Sequence, residues 1–218
     1  MPRARPQRQA SAAKRVQRAK ISFSPETLIS GAKGGLDGIS SNGLPGRIEC
    51  NTALAYPKSD RDFLWSLLER NMKQSYQATP DGWDEEGKYE ELFHEESWIL
   101  LVREEKGQCP VAFVSFRLDT ESTMGPHPAA VVYCYEVQVD SAFRGQGIAS
   151  HLLHLTQTIA ASLDLDKVML TVFSDNEKAI RLYHHLGFQE DEISPGQCLS
   201  PSEAQAYHYT IMSWPCPA

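Results

Sequence analysis

A single carboxylate, Glu136, interrupts a run of apolar and aromatic residues between Val131 and Val139. The run is rich in β-branched and aromatic side chains, which predicts a buried strand. An ionisable group inside such a strand needs a partner or a function. A free α-amine has a pKa of about 7.7–8.0, so a positioned carboxylate can take its proton directly or through one water. The alternative is a structural carboxylate paired with a basic neighbour.

Two glycines, Gly145 and Gly147, follow this strand and precede a helix. The helix is predicted by apolar residues at helical spacing, namely Ile148, Leu152, Leu155, Ile159 and Leu163. Backbone N–H groups at a helix N-terminus bind anions such as a pyrophosphate, and glycine lets the backbone approach closely. On its own the loop is equally an ordinary strand-to-helix turn.

A second strand, 167–173, and a second helix, 176–188, come next. This succession resembles the GCN5-related N-acetyltransferase (GNAT) superfamily. The superfamily's acyl-CoA loop, Arg/Gln-x-x-Gly-x-Gly/Ala, is matched by Arg144, Gly147 and Ala149. The next helix of the superfamily has matches in Asn176, Ala179, Tyr183, Gly187 and Phe188.

The resemblance implies an α/β fold with a mixed, mostly antiparallel central sheet flanked by helices. It also implies acetyl-CoA as cosubstrate, without a metal. Superfamily members have a β-bulge and splayed strands at the acyl-CoA site, and we expect the bulge between about Tyr135 and Val139. A regular strand would put Tyr135 and Glu136 on opposite faces, so their joint use requires such a distortion.

The resemblance also assigns cofactor contacts. The strand segment Val137, Gln138 and Val139 would line the pantetheine arm, and Asn176 with Ala179 would contact it from the second helix. The pyrophosphate would lie against Arg144, Gly145, Gln146, Gly147, Ile148 and Ala149. Tyr183 would either protonate the leaving CoA thiolate or only contact the cofactor.

Several strings are similar to the NatD family of histone-specific N-terminal acetyltransferases. They include 71–76, 82–83, 116–119, 133–138 and 167–173. The similarity implies acetylation of the α-amine of histones 2A and 4, whose mature tails begin Ser-Gly-Arg-Gly. Two alternatives stay open: a GNAT that modifies a lysine side chain or a small amine, and a non-catalytic module that binds acetyl-CoA or a histone tail.

Within this family resemblance, Glu136 would act as general base, with Tyr135 and Tyr183 as the other catalytic candidates. Peptide contacts would come from Tyr76, Asp81, Trp83, Asp119, Tyr133, Tyr135, Thr171 and Tyr209. Asp119 would pair with the substrate arginine, and Asp81 would add a second contact. The chain departs from NatD members that carry a tryptophan just before this point, since Pro80 and Asp81 stand here, and Trp83 would still cover the first substrate residues. The ordinary alternatives are core packing for the tyrosines, a strand position for Thr171 and a turn cap for Asp119.

Charge is unevenly distributed along the 218 residues. Residues 1–20 contain seven Lys and Arg and no carboxylate, so the net charge of −7 leaves −14 for the rest. An acidic body favours a cationic peptide as the partner. We expect a disordered basic tail over 1–20, or a helix formed only on binding, and a GNAT domain over 21–218 with an N-terminal wrapping segment. The tail would be a solubilising segment, a nuclear-import signal or an anchor on ribosomal or other RNA.

The remaining patterns exclude several classes of protein. No apolar run approaches the roughly 20 residues that cross a bilayer, and no apolar segment follows the N-terminal charges as in a secretory signal. The five cysteines and seven histidines lack the spacing of metal ligands, and scattered cysteines indicate a reducing compartment, hence cytoplasm and nucleus. The family resemblance implies action without an auxiliary subunit.

The other elements follow from periodicity and turn residues. We expect strands at 47–50, 98–103, 111–119 and 207–212, helices at about 59–76 and 84–93, and loops at 120–129 and 189–205. The predicted helix at 84–93 is strongly acidic. Such a run of carboxylates is usually the solvated face of a helix, and the alternative is that it steers a basic tail.

Overall fold

The computed structural model describes residues 10–24, 47–104 and 109–217. The helices are α1 (Ala12–Ser22), α2 (Lys58–Gln77), α3 (Glu85–Leu92), α4 (Ile148–Ser162), α5 (Glu177–His185), α6 (Pro195–Cys198) and α7 (Pro201–Ala204). The strands are β1 (Arg47–Thr52), β2 (Trp98–Arg103), β3 (Pro110–Glu121), β4 (Ala129–Val139), β5 (Lys167–Phe173), β6 (Gln189–Glu190) and β7 (Tyr209–Pro215). Within these ranges, no helix has the length and apolar character needed to span a bilayer.

The strands form one sheet in the order β1-β2-β3-β4-β5-β7-β6. The pairs β1–β2, β2–β3, β5–β7 and β6–β7 are antiparallel. The pair β4–β5 is parallel, with Val131–Cys134 in register with Lys167–Leu170. The predicted fold class, an α/β fold with a mixed and mostly antiparallel sheet, is therefore confirmed.

The chain divides into two compact units, which we name by their contents. The loop unit takes its described residues from Pro25–Arg117 and Tyr135–Leu153. It therefore contains residues 144–147, which we call the glycine loop. Its core is built where the apolar stripe of α2 meets buried residues of α3, β2 and β3. The large side chains that are almost completely buried there are Leu64, Leu67, Leu68, Leu92, Ile99, Leu101 and Phe113. Helical spacing of the α2 leucines predicted this stripe.

The tail unit takes its described residues from Met1–Ser24, Leu118–Cys134 and His154–Ala218. Ala129, Val131 and Met169 are buried together, with Ile193 and Ile211 packed against them. At the start of β5, Lys167 Nζ lies 2.6 Å from Asp191 Oδ2. β6, α6 and α7 lie in the segment predicted to be a polar loop, which is thus more ordered than its composition suggested.

In the segment 1–20, which was predicted to be disordered or to form a helix only on binding, the structure has residues 12–20 in α1, while residues 1–9 lie outside the described residues. Arg15 of α1 is buried and donates to the Asp164 carbonyl at 3.0 Å and to both carboxylate oxygens of Asp166, at 2.9 Å for Oδ1. Ala12, Val16 and Ala19 are buried on the same helix. A charge-assisted contact and an apolar stripe order this segment, although its composition is that of a solvated tail.

Candidate active site

Glu136 is buried in β4 and its carboxylate has two polar neighbours in the loop unit. Gln138 Nε2 donates a hydrogen bond to Glu136 Oε2 at 2.8 Å. Lys88 Nζ of α3 lies 3.8 Å from Glu136 Oε1. The ordinary alternative, a carboxylate beside a basic neighbour, is thus partly realised, since the cation lies slightly beyond hydrogen-bonding distance.

Lys88 is held by three groups at once. Its Nζ lies 2.7 Å from Glu91 Oε1 and 4.6 Å from the centroid of the Tyr76 ring, in addition to its approach to Glu136. Burial alone would lower the pKa of Lys88, but the negative charges of Glu136 and Glu91 outweigh it and raise the pKa. Lys88 is therefore a permanent cation beside the Glu136 carboxylate.

Burial raises the pKa of Glu136 to about 7, against the opposing effects of the Lys88 charge and the Gln138 hydrogen bond. The nearby Glu91 charge raises the pKa further. A base whose pKa lies near the working pH combines a useful ionised fraction with a real affinity for the proton. At neutral pH the Glu136 carboxyl group with such a pKa is partly ionised and partly protonated.

Tyr135, the residue before Glu136, packs against a cation of β3. The Arg117 guanidinium lies 4.2 Å from the centroid of the Tyr135 ring and donates to the Glu91 carbonyl of α3. Consecutive residues of a regular strand point to opposite faces of the sheet. Burial alternates along residues 133–139 of β4, as it does in a regular strand, so the predicted bulge and splayed strands stay predictions.

The glycine loop has the backbone conformation that the sequence predicted. Gly145 and Gly147 have φ values of 77° and 81°, a region that side-chain-bearing residues rarely adopt. A Cβ at either position would meet no atom within 4 Å, so backbone conformation and not space requires glycine here. Residues Arg144–Gly147 are exposed and α4 begins at Ile148, which leaves N-terminal backbone N–H groups for a pyrophosphate.

Side-chain amides connect this loop to Glu136. Arg144 Nη2 donates to Asn71 Oδ1 at 2.7 Å, and Asn71 Nδ2 donates to Gln138 Oε1 at 2.9 Å. Gln138 was predicted as a cofactor contact, but its side chain is buried and bonded to Asn71 and Glu136. Any contact between Gln138 and the cofactor would have to come from its main chain.

An aromatic cluster lies beside Lys88. The Trp83 ring centroid is 5.6 Å from that of Tyr76 and 5.8 Å from that of Trp65, and Tyr89 packs edge-on against Trp65 at 5.3 Å. The structure thus brings the predicted peptide contacts Tyr76 and Trp83 together, while Asp81 is exposed in the turn before Trp83. Trp65 and Tyr89 were not predicted, because the spacing of their elements gives no indication that α2 and α3 meet here.

In the tail unit, two predicted peptide contacts are hydrogen-bonded to each other. The hydroxyl oxygens of Tyr133 and Thr171 are 2.6 Å apart, and Thr171 is exposed. The Asp119 Oδ1 accepts from the Thr120 N–H at 2.7 Å, a contact between neighbouring residues of β3. Tyr209 is half-buried and packs edge-on against Tyr207, with ring centroids 5.6 Å apart.

The predicted cofactor residues of the second motif lie on or beside α5 in the tail unit. Asn176 is exposed and caps α5, because its Oδ1 accepts from the Ala179 N–H at 3.2 Å. Tyr183 is buried, with its ring centroid 6.0 Å from that of Phe188. These contacts do not decide whether Tyr183 donates a proton, so that role stays a prediction.

Comparison with known proteins identifies the family. Residues 64–188, more than half of the chain, match the family described as Acetyltransferase (GNAT) family. The chain belongs to the GNAT family of acetyltransferases. The matched range includes Asn71, Lys88, Glu136, Gln138 and the glycine loop. Among the described residues of this GNAT protein, no three His, Cys, Asp or Glu side chains are grouped to hold a metal ion.

Solved structures agree on the fold. A GNAT acetyltransferase of Staphylococcus aureus aligns with a TM-score of 0.55 and 18% identity, covering 78% of this chain and 99% of that one. NAA60 of Arabidopsis thaliana, solved with a bisubstrate analogue, aligns with a TM-score of 0.53 and 16% identity over 77% of this chain and 97% of that one. At such identities the agreement concerns the GNAT fold alone.

Two curated relatives are more similar in sequence. N-alpha-acetyltransferase 40 of Saccharomyces cerevisiae is 39% identical over 110 residues, covering 44% of this chain and 38% of the yeast protein. YwnH of Bacillus subtilis, provisionally named a phosphinothricin acetyltransferase, is 30% identical over 119 residues, covering 55% of this chain and 69% of YwnH. This GNAT chain thus spans well under half the length of the yeast relative.

Proposed function

We propose that this GNAT enzyme transfers acetyl from acetyl-CoA to the free α-amine of a protein N-terminus. The observation that carries the proposal is the buried Glu136, whose pKa is raised to about 7 beside the exposed glycine loop of the same unit. A substrate α-amine has a pKa of about 7.7–8.0. Near neutral pH, Glu136 can therefore take the ammonium proton without the large mismatch that an ordinary carboxylate would have.

The proposed reaction transfers protons both before and after acyl transfer. Glu136 removes a proton from the α-ammonium, directly or through one water, and leaves a neutral nitrogen nucleophile. The nitrogen attacks the thioester carbonyl, the C–S bond breaks, and the CoA thiolate leaves with the electron pair. The acylated nitrogen then gives up its excess proton, which balances the proton that the thiolate takes up. Tyr183 is the candidate that protonates this thiolate, as the family resemblance implies. The glycine loop and Arg144 would hold the pyrophosphate.

We further propose that the acceptor is the Ser-Gly-Arg-Gly terminus of histones 2A and 4. The similarity to the yeast N-alpha-acetyltransferase 40 supports this choice of acceptor. An arginine-containing terminus also suits an enzyme whose net charge is negative and whose exposed α3 face is rich in carboxylates. Asp119, and in addition Asp81, would pair with the arginine, while Trp83, Tyr76, Tyr133, Tyr135, Thr171 and Tyr209 would contact the peptide.

The same proposal gives the enzyme's setting. Histone acceptors imply action in the cytoplasm, on newly made chains, and in the nucleus. The basic residues before α1 and on its exposed face, including Lys14 and Arg18, would allow contact with ribosomal or other RNA. No auxiliary subunit is required by the proposed mechanism.

One assay tests the acceptor. Purified enzyme receives acetyl-CoA with a Ser-Gly-Arg-Gly peptide, with its N-terminally blocked form, or with a version in which alanine replaces arginine. We expect product from the free peptide, none from the blocked peptide and little from the alanine version. Glu136→Gln should lower turnover by about 100-fold or more with little loss of CoA binding. Equal turnover by Glu136→Gln would exclude the general-base role.

A second candidate acceptor is a small amine, which the similarity to YwnH favours. Phosphinothricin and spermidine are suitable probes, since an enzyme of this kind would acetylate one of them faster than any peptide. The related hypothesis, acetylation of a lysine side chain, predicts that the blocked peptide is acetylated once it contains a lysine. Failure of every acceptor, together with intact CoA binding, would instead indicate a binding module.

A further inference from the structure

A chain of side-chain hydrogen bonds within the loop unit runs from the glycine loop to the Glu136 carboxylate. Arg144 Nη2 donates to Asn71 Oδ1 at 2.7 Å, Asn71 Nδ2 donates to Gln138 Oε1 at 2.9 Å, and Gln138 Nε2 donates to Glu136 Oε2 at 2.8 Å. Asn71 Nδ2 also donates to the Val139 carbonyl at 3.3 Å. α2 supplies one member, β4 supplies Gln138 and Glu136, and the glycine loop supplies Arg144.

The direction of this chain is fixed by its two ends. Arginine has donors and no acceptor, so the atom of Asn71 that faces Arg144 has to be the carbonyl oxygen. The Asn71 amide nitrogen then faces Gln138 and the Val139 carbonyl, and both of its hydrogens are used. Gln138 accordingly presents its oxygen to Asn71 and its nitrogen to Glu136. Every link therefore donates toward Glu136, which is the arrangement that favours an ionised carboxylate.

We propose that Asn71 and Gln138 are positioning residues that hold Glu136 in the orientation and ionised form needed for proton abstraction, anchored by Arg144 of the glycine loop. Neither residue has to touch substrate for this role. The inference rests on the proposed function of Glu136 as general base. It adds a physical link between the loop that would hold the cofactor phosphates and the group that would activate the amine.

Other charged groups face Glu136 as well. Their effects have to be separated from those of the hydrogen-bonded series Arg144–Asn71–Gln138–Glu136, which we call the relay. α3 contributes Lys88 and Glu91, and α2 contributes the Tyr76 hydroxyl. None of these groups is hydrogen-bonded to Asn71 or Gln138 in the contacts described above. Gln138→Leu leaves these charges in place and removes only the hydrogen-bond donor to Glu136, whereas a carboxylate at position 71 reverses the donor direction and adds a charge that faces Arg144.

The most informative variant is Asn71→Asp, which keeps the shape of the side chain and can form an ion pair with Arg144. Its second oxygen, however, cannot donate to Gln138 Oε1. The Gln138 amide should then flip, so that its nitrogen donates to the new carboxylate at position 71 and its oxygen faces Glu136. A purely structural role predicts that this isosteric variant is tolerated, whereas the relay predicts that it is impaired.

The experiment compares Asn71→Asp, Gln138→Leu and the double variant with wild type, using acetyl-CoA and the free Ser-Gly-Arg-Gly peptide. Gln74→Leu is the matched control, because Gln74 is an exposed amide one turn further along α2. We measure kcat and KM for acetyl-CoA across the pH range in which Glu136 titrates, together with thermal unfolding. Hydrogen bonds to charged groups of this kind predict roughly tenfold lower kcat for each single variant.

Three results together support the relay. First, the acid limb of the pH profile of kcat should move to higher pH in both single variants. Second, the KM for acetyl-CoA and the unfolding temperature should change little. Third, the kcat of the double variant should be no lower than that of Gln138→Leu. An unmoved pH limb in both single variants, with wild-type kcat, overturns the relay while leaving Glu136 as base. Absence of α-amine acetylation by the wild type would instead overturn the proposed function, and the two failures are thus distinguishable.

Discussion

Replacing Lys88 by methionine should shift the pH dependence of acetyl transfer without abolishing it. Lys88 Nζ lies 3.8 Å from Glu136 Oε1, and its charge lowers the pKa of Glu136, whose value is still about 7 because of burial. Methionine keeps most of the apolar stem beside Tyr76 and removes the ammonium, with its charge and its ion pair to Glu91. The carboxylate then loses its favourable partner, and the repulsion from Glu91 stays.

The size of the effect follows from the distance. Two unit charges 3.8 Å apart interact with about 4 kcal/mol at an effective dielectric constant of 20. Entry of water into the space left by the ammonium, and movement of Glu91, would reduce the loss. We therefore expect the pKa of Glu136 to rise by about one unit or more, since a nearby opposite charge typically lowers the pKa of a carboxyl group by about 1–3 units.

A rise of one pH unit has a definite consequence for rate. At pH 7 the ionised fraction of Glu136 would fall from about one half to about one tenth, so kcat would fall roughly fivefold. At higher pH both enzymes become ionised, and the ratio of variant to wild-type kcat should climb toward one. Taking the ratio removes the titration of the substrate amine, which is common to both enzymes.

The assay is steady-state acetyl transfer to the free peptide at saturating acetyl-CoA over a series of pH values. Lys58→Met is the control, because Lys58 forms an exposed ion pair with Asp62 at the start of α2 and lies outside the site. A ratio that stays constant over the whole pH series would refute the reasoning, since it would show that Lys88 acts on something other than the ionisation of Glu136.

Three further predictions concern other parts of the chain. Gly147→Ala should weaken acetyl-CoA binding roughly tenfold by calorimetry, because an alanine at a φ of 81° costs about 1–2 kcal/mol. Gly125→Ala should leave the affinity unchanged. Unchanged affinity of Gly147→Ala would show that the conformation of the glycine loop does not contribute to cofactor binding. Arg15→Ala should reduce the free energy of unfolding in urea by about 1–3 kcal/mol, against almost nothing for the exposed Arg18→Ala; equal values would show that Arg15 does not anchor α1. Asp119→Asn should raise KM for the arginine peptide and leave that for its alanine version unchanged, and a parallel rise for both would argue against pairing with arginine.

Much of the fold could be predicted because its signals are local. β5 was predicted at Lys167–Phe173, where the structure has it, since a mostly apolar run that is rich in β-branched residues is bounded by polar ones. α1 was not predicted as a stable helix, because the basic composition of the segment suggests solvation. Its order depends on Asp166, a partner 151 residues away, and composition contains no information on such a contact.

The candidate site shows the same limit at the level of single residues. Glu136 could be predicted, because a lone carboxylate in an apolar strand stands out in the sequence. Lys88 was missed, although it is the one lysine in the acidic stretch 84–96 and could have been recognised as a neutralising charge. Gln138 was assigned to the cofactor, and Asn71 was noted only as part of a family resemblance, since a relay through α2 and β4 exists only once those elements pack.

The central claim is that the enzyme acetylates an α-amine, and the most direct measurement locates the acetyl group on a peptide with two amines. A Ser-Gly-Arg-Gly-Lys peptide, incubated with acetyl-CoA and wild-type enzyme, is fragmented in a tandem mass spectrometer. We predict that the added mass appears on fragments that contain the N-terminal serine and that Glu136→Gln yields almost none of this product. Acetyl found on the lysine, with the serine amine unmodified, would contradict the account.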